Sequence, residues 1–559
     1  MGALRLAQPG SHGATASATD LEYFGDSSGV SFHSLILQHF FLGAHPHPPT
    51  QELPPQRGTP LGNPFVTGVV KLSDFPSPSN ASSLFTYYFT HIHRLYPFLH
   101  EASIRESYKV FWERKDDERL SSSFTLGSLT SQLALHFAVF AMADKHHYDL
   151  SRKLLASQKA LPQDILQVQT LLLTALYMQG SDDPEESWNL LGMAIRRGYG
   201  MGLHRLLAPA RATPIERETR KRTWCACFTL DRLMTVSLDR PTAITTSTAN
   251  YPLPISLPDE DPSLVDFFNI STNLYRLLLA DVPGDLTSFS LQHLSTNSLR
   301  AATNTIDTLE NLFTAWWASV PPKLQSITAS QEAMVLNLRS HTVRLLIHRP
   351  VLSEAIRASH ADEALALPHP SDTGYVKALV LKQQYQTMVG ASLSTTLATG
   401  VEAIRLLAQT EATDHLSAGW YRLFYAMNSF MSLAAVLTLD LSKYDQMTTP
   451  RSVIIEALHQ GREIIHNLGQ RYNFASAQRS VFILDQMLAV SRLSASSPPA
   501  DAPFVPVPVH SRDISRAQSP NGIIWDDLIQ TMDLGMLPTF NFLDQGANFD
   551  PFAFLETPM

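Results

Sequence analysis

An all-α fold is predicted from three features of this sequence. Apolar residues recur at three- and four-residue spacing through most of positions 83–493, as a helix with one buried face requires. Val- and Thr-rich alternating runs joined by two-residue turns are nearly absent. Two of the periodic segments open with helix-start punctuation: Ser181, Asp182 and Asp183 stand before Pro184, Glu185 and Glu186, and Pro162 and Asp164 stand before a second apolar run.

Positions 1–20 are small and polar, an aromatic segment follows at 23–41, and a Pro-rich stretch at 45–56 continues neither helix nor sheet. Positions 1–82 are therefore expected to be mostly disordered. Helical periodicity then marks 84–92, 133–142, 165–177, 188–201, 224–238, 299–317, 333–347, 401–407, 420–439, 453–468 and 476–493, which together predict about a dozen helices. A repeat of fixed period is not found. Positions 494–520 are Ser/Pro-rich and read as a linker.

Composition narrows the function. The 559 residues carry 51 acidic and 42 basic side chains, a formal net charge of -9, with 44% hydrophobic and 17% charged residues. That balance gives no basic surface of the kind that supplies non-specific affinity for nucleic acid. The 2 cysteines build neither a disulfide scaffold nor a four-thiolate zinc site, so a reduced intracellular compartment is expected. No apolar run reaches 18 residues, and the N-terminus lacks the apolar core of a signal peptide, so no membrane association is expected.

The last stretch, 521–559, holds six acidic residues, six aromatic residues and no Lys or Arg. Carboxylates keep such a chain solvated while its aromatic side chains stay available to a partner's groove, the composition of an activation segment. Trp525, Asp526, Asp527 and Leu528 lie in a run able to fold as a short amphipathic helix on binding, with Phe540 and Phe542 beyond it. Docking of the same aromatics back onto the helical domain is the other reading.

Several motifs carry less than they promise. Gly25, Ser27 and Gly29 satisfy the G-x-S-x-G spacing, but neither a strand before nor a helix after supplies the strained elbow a nucleophile needs. Asp182, Asp183 and Glu186 satisfy the D-D-x-x-E pattern of a magnesium-dependent terpene synthase, yet Pro184 puts both aspartates at or before the helix start, where capping explains them. Cys225 and Cys227 are two apart on a predicted helix and point away from each other. Arg220, Lys221 and Arg222 are too short a basic run for an import signal and read as a solvated helix face. No enzyme is expected, and no catalytic, cofactor or metal residue is assigned.

One stretch, 216–254, is informative. Its helix lines up Trp224, Cys227, Phe228, Asp231, Met234 and Leu238 on one face, and an acid inside an apolar stripe is costly unless paired. Arg240, just before a helix-stopping Pro241, is the expected partner. The pair would lock the helix to an extended loop over 243–254.

At these residues the sequence resembles the fungal-specific transcription factor domain, also called the middle homology or xylanolytic-activator regulatory domain. Glu218, Arg220, Lys221, Arg222 and Trp224 carry the resemblance, then Phe228, Leu230, Asp231 and Arg232, then Asp239, Arg240, Pro241 and Ile244, and finally 251–254. Upstream, Trp188 through Gly202, Leu203 and His204 resembles the preceding helix, the stretch 88–100 its start, and 25–32 a short motif found ahead of it. Asp239 stands where the family usually has Gly. The resemblance places a regulatory domain at 83–320, with 321–493 as its helical continuation.

It further implies a nuclear transcription regulator, with coactivator or mediator-type proteins recruited by the tail and a homo- or heterodimer as the acting form. Members normally carry a binuclear zinc cluster of six cysteines that reads DNA. This sequence shows no such cluster, so no cofactor is expected in it, and DNA contact is expected only indirectly or through a missing N-terminal module. A helical scaffold or corepressor is the alternative.

Overall fold

The computed structural model describes residues 32–33, 35–36, 70, 72–114, 127–157, 164–179, 184–238, 240–245, 248, 251–277, 295–326, 330–359, 367, 369–410, 419–444, 449–471 and 475–493. Among them are fifteen α-helices, three short 3-10 turns and no strand. The candidate activation segment, the linker and the Gly25–Gly29 motif lie outside these residues.

Local sequence sets many of the helix starts. In α1 (Pro78–His91) Ser77 accepts a bond from the Asn80 amide and Pro78 takes the first position, so the helix begins five residues before the periodicity at 83. The next helices are α2 (Glu101–Arg114), α3 (Gly127–Ala141), α4 (His146–Ser157) and α5 (Ile165–Gln179), whose start is capped by Asp164 through the Gln167 amide at 2.9 Å. Pro184 opens α6 (Pro184–Gly200), with Glu185 and Glu186 in the first turn where the helix dipole favours them. A capping box opens α7 (Pro214–Leu238): the Glu216 amide donates to Thr213 Oγ1 and the Thr213 amide to Glu216 Oε2.

Then follow α8 (Pro262–Leu277), α9 (Thr296–Ser319) with its own capping box between Ser295 and Ser298, and the single turn α10 (Pro322–Gln325). The last five are α11 (Gln331–Ser359), α12 (Tyr375–Thr410), α13 (Gly419–Leu437), α14 (Arg451–Arg471) and α15 (Ala475–Leu493). The predicted segment ends at 347, short of Pro350, which lacks a backbone donor, yet α11 runs through that proline to Ser359, with Val351, Leu352, Ala355 and Ile356 buried beyond it. α2, α4, α8 and the first half of α12 are further helices that the periodic segments do not include.

Consecutive helices pack against each other along the chain, α3 with α4, α5 with α6 and α6 with α7 on one side, α11 through α15 on the other. At the centre of the first group lies α5, buried from Gln167 to Leu176 all round its circumference. Its polar residues are satisfied internally: Gln169 donates to the Phe98 carbonyl and to Thr223, and Thr170 and Thr174 bond back along the helix.

The two groups meet at α8, which touches both α7 and α11. The buried Arg339 of α11 crosses that junction, donating to Ser271 of α8 at 3.0 Å, with its guanidinium 5.1 Å from the Tyr96 ring and 5.5 Å from the Phe267 ring. One apolar core therefore runs through both halves, from Phe32 to Leu488. Phe32 and Ile36 of the N-terminal segment belong to it, with Arg349 of α11 stacked 5.1 Å from the Phe32 ring. Within the second group helices approach closely at Gly400, where a Cβ would stand 2.9 Å from Leu433.

An ion network ties α9 to α11. Arg344 grips Glu310 with Nε at 3.0 Å and Nη2 at 2.7 Å, and His348 Nε2 lies 3.0 Å from the same carboxylate. Burial alone would raise the Glu310 carboxyl. The bonds from His348 and Arg344 outweigh it and pull the group from 4.5 down to about 2. A carboxylate depressed on folding stabilises the protein above its unfolded value, and that contribution fades as pH falls through the folded one. The Glu310→Gln variant is therefore expected to be less stable than the parent at pH 7, with the gap closing between pH 4.5 and about 2, as read from urea midpoints across that range.

Candidate functional site

The informative stretch folds as a helix, α7, and a strap that returns across it between 240 and 260. Side chains of α6, α7 and α8 bond backbone groups of the strap's described residues.

Arg222 is at the centre. Its guanidinium is almost fully buried and fork-bonds Glu260, Nη1 at 2.8 Å and Nη2 at 2.6 Å, while Nη2 also donates to the Ile255 carbonyl at 2.7 Å. One helical turn earlier on the same helix, Glu218 faces Arg222 Nε at 3.4 Å, pairs with Lys221 Nζ at 2.7 Å and accepts the Ile255 amide at 2.7 Å. Glu260 also accepts the Leu257 amide at 3.1 Å. Burial pushes the Glu260 carboxyl up, but Arg222 and the Leu257 amide more than offset this and leave it below its ordinary value. His93, within the stretch 88–100, is buried in the field of Arg222 and Glu260, and burial holds it at about 3, so it stays neutral.

The basic run is thus not the solvated face its composition suggests. Arg220 donates to the Leu207 and Met201 carbonyls of the turn after α6, while Lys221 reaches Leu253 and Arg222 is interior under the strap.

The expected Asp231–Arg240 pair is replaced by two separate contacts. Asp231 accepts the Ala243 amide at 3.1 Å on Oδ1 and the Ile244 amide at 3.0 Å on Oδ2, with Arg232 Nη1 3.4 Å away. Burial pushes the Asp231 carboxyl up, opposed by the Ile244 and Ala243 amides and by Arg232. Arg240 turns the other way, to the start of α6, where it meets Glu185 at 2.6 Å and lies 4.7 Å over the Trp188 ring. The chain bends at Ala243 and Ile244, which brings those two amides onto Asp231, while Arg240, three residues earlier, is buried against the start of α6. Arg232 donates to the Ile244 carbonyl and stacks 5.2 Å from Phe228.

Aromatic packing completes the strap's seat. Trp224 lies 5.0 Å from Tyr199 and 5.9 Å from His204, and its indole N–H donates to the Thr248 carbonyl at 3.4 Å. Tyr199 hydroxyl is 2.9 Å from Thr248 Oγ1. Gly202 sits at φ 67°, in the left-handed region, and a Cβ there would stand 2.6 Å from Leu207. The next residue, Leu203, is fully buried. From α8, Arg276 donates to the Tyr251 carbonyl at 3.0 Å and Asn269 to Pro254 at 2.9 Å.

Chemically the arrangement positions backbone, and among the described residues neither of its thiols is activated. Burial pushes both the Cys225 and Cys227 thiols up, so neither is a thiolate at neutral pH. Glu186 of the D-D-x-x-E pattern pairs with Arg152 at 2.8 Å, and its two aspartates lie outside the described residues. Among the described residues no cluster of three or more His, Cys, Asp or Glu could hold a metal ion, and no helix is long and apolar enough to cross a membrane.

Removing one member of a buried ionic group strands the others. Arg222→Met, close in length and apolar, is expected to cost about 3–5 kcal/mol in urea unfolding. A loss under about 1 kcal/mol, the size typical of an exposed pair, would contradict the buried clamp.

Residues 85–317 match the family described as the fungal specific transcription factor domain. Transcription factor FBD3 of Gibberella moniliformis is 23% identical over 462 residues, 72% of this chain and 58% of that protein. An uncharacterised transcriptional regulatory protein of Schizosaccharomyces pombe is 24% identical over 357 residues, 59% of this chain and 44% of its own length. An ABC-transporter-regulating transcription factor of Aspergillus fumigatus is 24% identical over 282 residues, 47% of this chain and 31% of that protein. The chain thus spans a little over half the length of FBD3 and less of the other two. The strap and the three helices that seat it lie inside the matched stretch, and residues 85–317 of this chain form a fungal specific transcription factor domain.

Proposed function

We propose that the protein is a nuclear transcription regulator in which the helical domain holds or releases an acidic, aromatic C-terminal segment. Two things support the reading: the domain match over residues 85–317, and the composition of 521–559, where six acidic and six aromatic residues occur without a single Lys or Arg. Trp525, Leu528, Phe540 and Phe542 would enter the groove of a coactivator or mediator-type protein, and Asp526 and Asp527 would keep the segment solvated until then. DNA contact would come from a module or partner other than these helices, in a homo- or heterodimer, and the reading assigns no catalytic centre and no cofactor. A shift between masked and released tail needs a signal that binds one state better than the other.

A tethered reporter tests this. Residues 495–559 fused to a heterologous DNA-binding domain are expected to activate, and the combined Trp525→Ala, Phe540→Ala and Phe542→Ala variant to fail. The whole chain fused in the same way is expected to activate less than the tail alone. Silence of both fusions would overturn the reading in favour of a scaffold or corepressor.

A further inference from the structure

Away from the strap, α12 begins as an arm. Tyr385 is the first of its residues to be buried, so about three turns, 375–384, precede it. Leu381 packs half-buried against the apolar core, and Tyr385 and Met388 follow it inward on the same side of the helix. At about 100° per residue the opposite side carries Val376, Leu379 and Val380, with Tyr375 at its edge. Val376 is 69% exposed, the most exposed large apolar side chain among the described residues, and Val380 is 45% exposed.

Charge frames this stripe. By the same helical spacing Lys377 and Lys382 lie between the stripe and the core side, one on each flank, and neither makes an ion pair among the described residues. No Asp or Glu occurs between Asp372 and Glu402, so the arm is basic along its length. An apolar stripe rimmed by charge marks an interaction face. A second copy of this chain would set lysine against lysine there. An occupant with its own apolar stripe between carboxylates answers both features.

We propose that the occupant is the chain's own segment 523–533, docked along the arm of α12 as a short amphipathic helix. In helical form Ile524, Trp525, Leu528, Ile529 and Met532 share one face, bordered by Asp526 and Asp533 on one side and by Asp527 on the other. Apolar stripe then meets apolar stripe, and carboxylate flanks meet lysine flanks as the outer positions of a coiled coil do. The chain can reach: α15 ends at Leu493 and packs on α14, which packs on α12. The intervening residues 494–522 span roughly 30 Å as a flexible linker. Such a tether gives an effective concentration on the order of mM, so a weak contact suffices. Trp525 and Leu528 are also the side chains assigned above to a coactivator groove, so docking and recruitment exclude each other. The inference rests on the gating reading above and gives its masked state a place.

Hydrogen exchange on the full chain tests the contact. Amides of 524–532 are expected to exchange about tenfold or more slower than an unstructured segment, independently of protein concentration. Val376→Asp combined with Val380→Asp, both at exposed positions, is expected to abolish that protection while α7 and α14 exchange as before. Lys377→Glu with Lys382→Glu is expected to weaken it, as is Asp526→Lys with Asp527→Lys, and all four together to restore it, which a disrupted arm could not do. Protection that survives the arm substitutions would overturn this site and leave masking elsewhere on the domain. Unprotected 524–532 in the parent would overturn both the site and the masked state, and an arm protected only at high concentration would give the face to a second copy. Loss that the four substitutions together fail to restore would overturn the charge pairing. The tethered whole-chain reporter reads the gating separately: protection lost in the valine variant with an unmoved reporter supports the contact and counts against the gating.

Discussion

The structure depends most on a guanidinium taken out of water. Arg222 is buried under a strap of chain that begins 18 residues downstream of it, and a charge so placed is tolerated only with its hydrogen bonds made. Glu260 supplies a fork, Glu218 faces the remaining nitrogen, and the Ile255 carbonyl takes another N–H. The same two carboxylates accept the Ile255 and Leu257 amides. Charge neutralisation and backbone satisfaction are therefore one constraint: the strap cannot leave without exposing the ions, and the ions cannot separate without freeing the strap.

From that clamp the arrangement of the neighbouring helices follows. Asp231 holds the strap's first amides, Arg240 reaches back to Glu185 and Trp188 at the start of α6, and Arg276 and Asn269 take carbonyls from the side of α8. The helix α8 then carries the position of the strap to α11 through Ser271 and Arg339. Three helices of the matched domain and one of its continuation are fixed relative to one another by side chains reaching backbone, an arrangement suited to passing displacement from one half to the other.

Much of this was legible in the sequence, and the failures have physical reasons. The all-α class followed from periodicity, because apolar spacing is a direct consequence of burying one helix face, and α5 and α9 lie within three residues of where it placed them, while α3 and α7 begin six and ten residues earlier. Weakly buried helices escaped: α2 buries only Ile104, Tyr108 and Phe111, too few to stand out. The lock between α7 and its following loop was readable from an acid in an apolar stripe. Its partner was not, since Asp231 bonds backbone amides, which every residue has. The Glu218 and Arg222 spacing was visible on the helix, but Glu260 lies 38 residues further on and nothing local marks it.

Residue-resolved hydrogen exchange on the full chain decides whether the strap is clamped. The Ala243, Ile244, Ile255 and Leu257 amides donate to buried carboxylates, although they lie in a segment without regular structure. The clamp predicts protection of all four comparable to the middle of α7, lost only when that helix opens. Exchange of these amides at the rate of exposed loop while α7 stays protected would show a strap that opens alone, and would contradict the account.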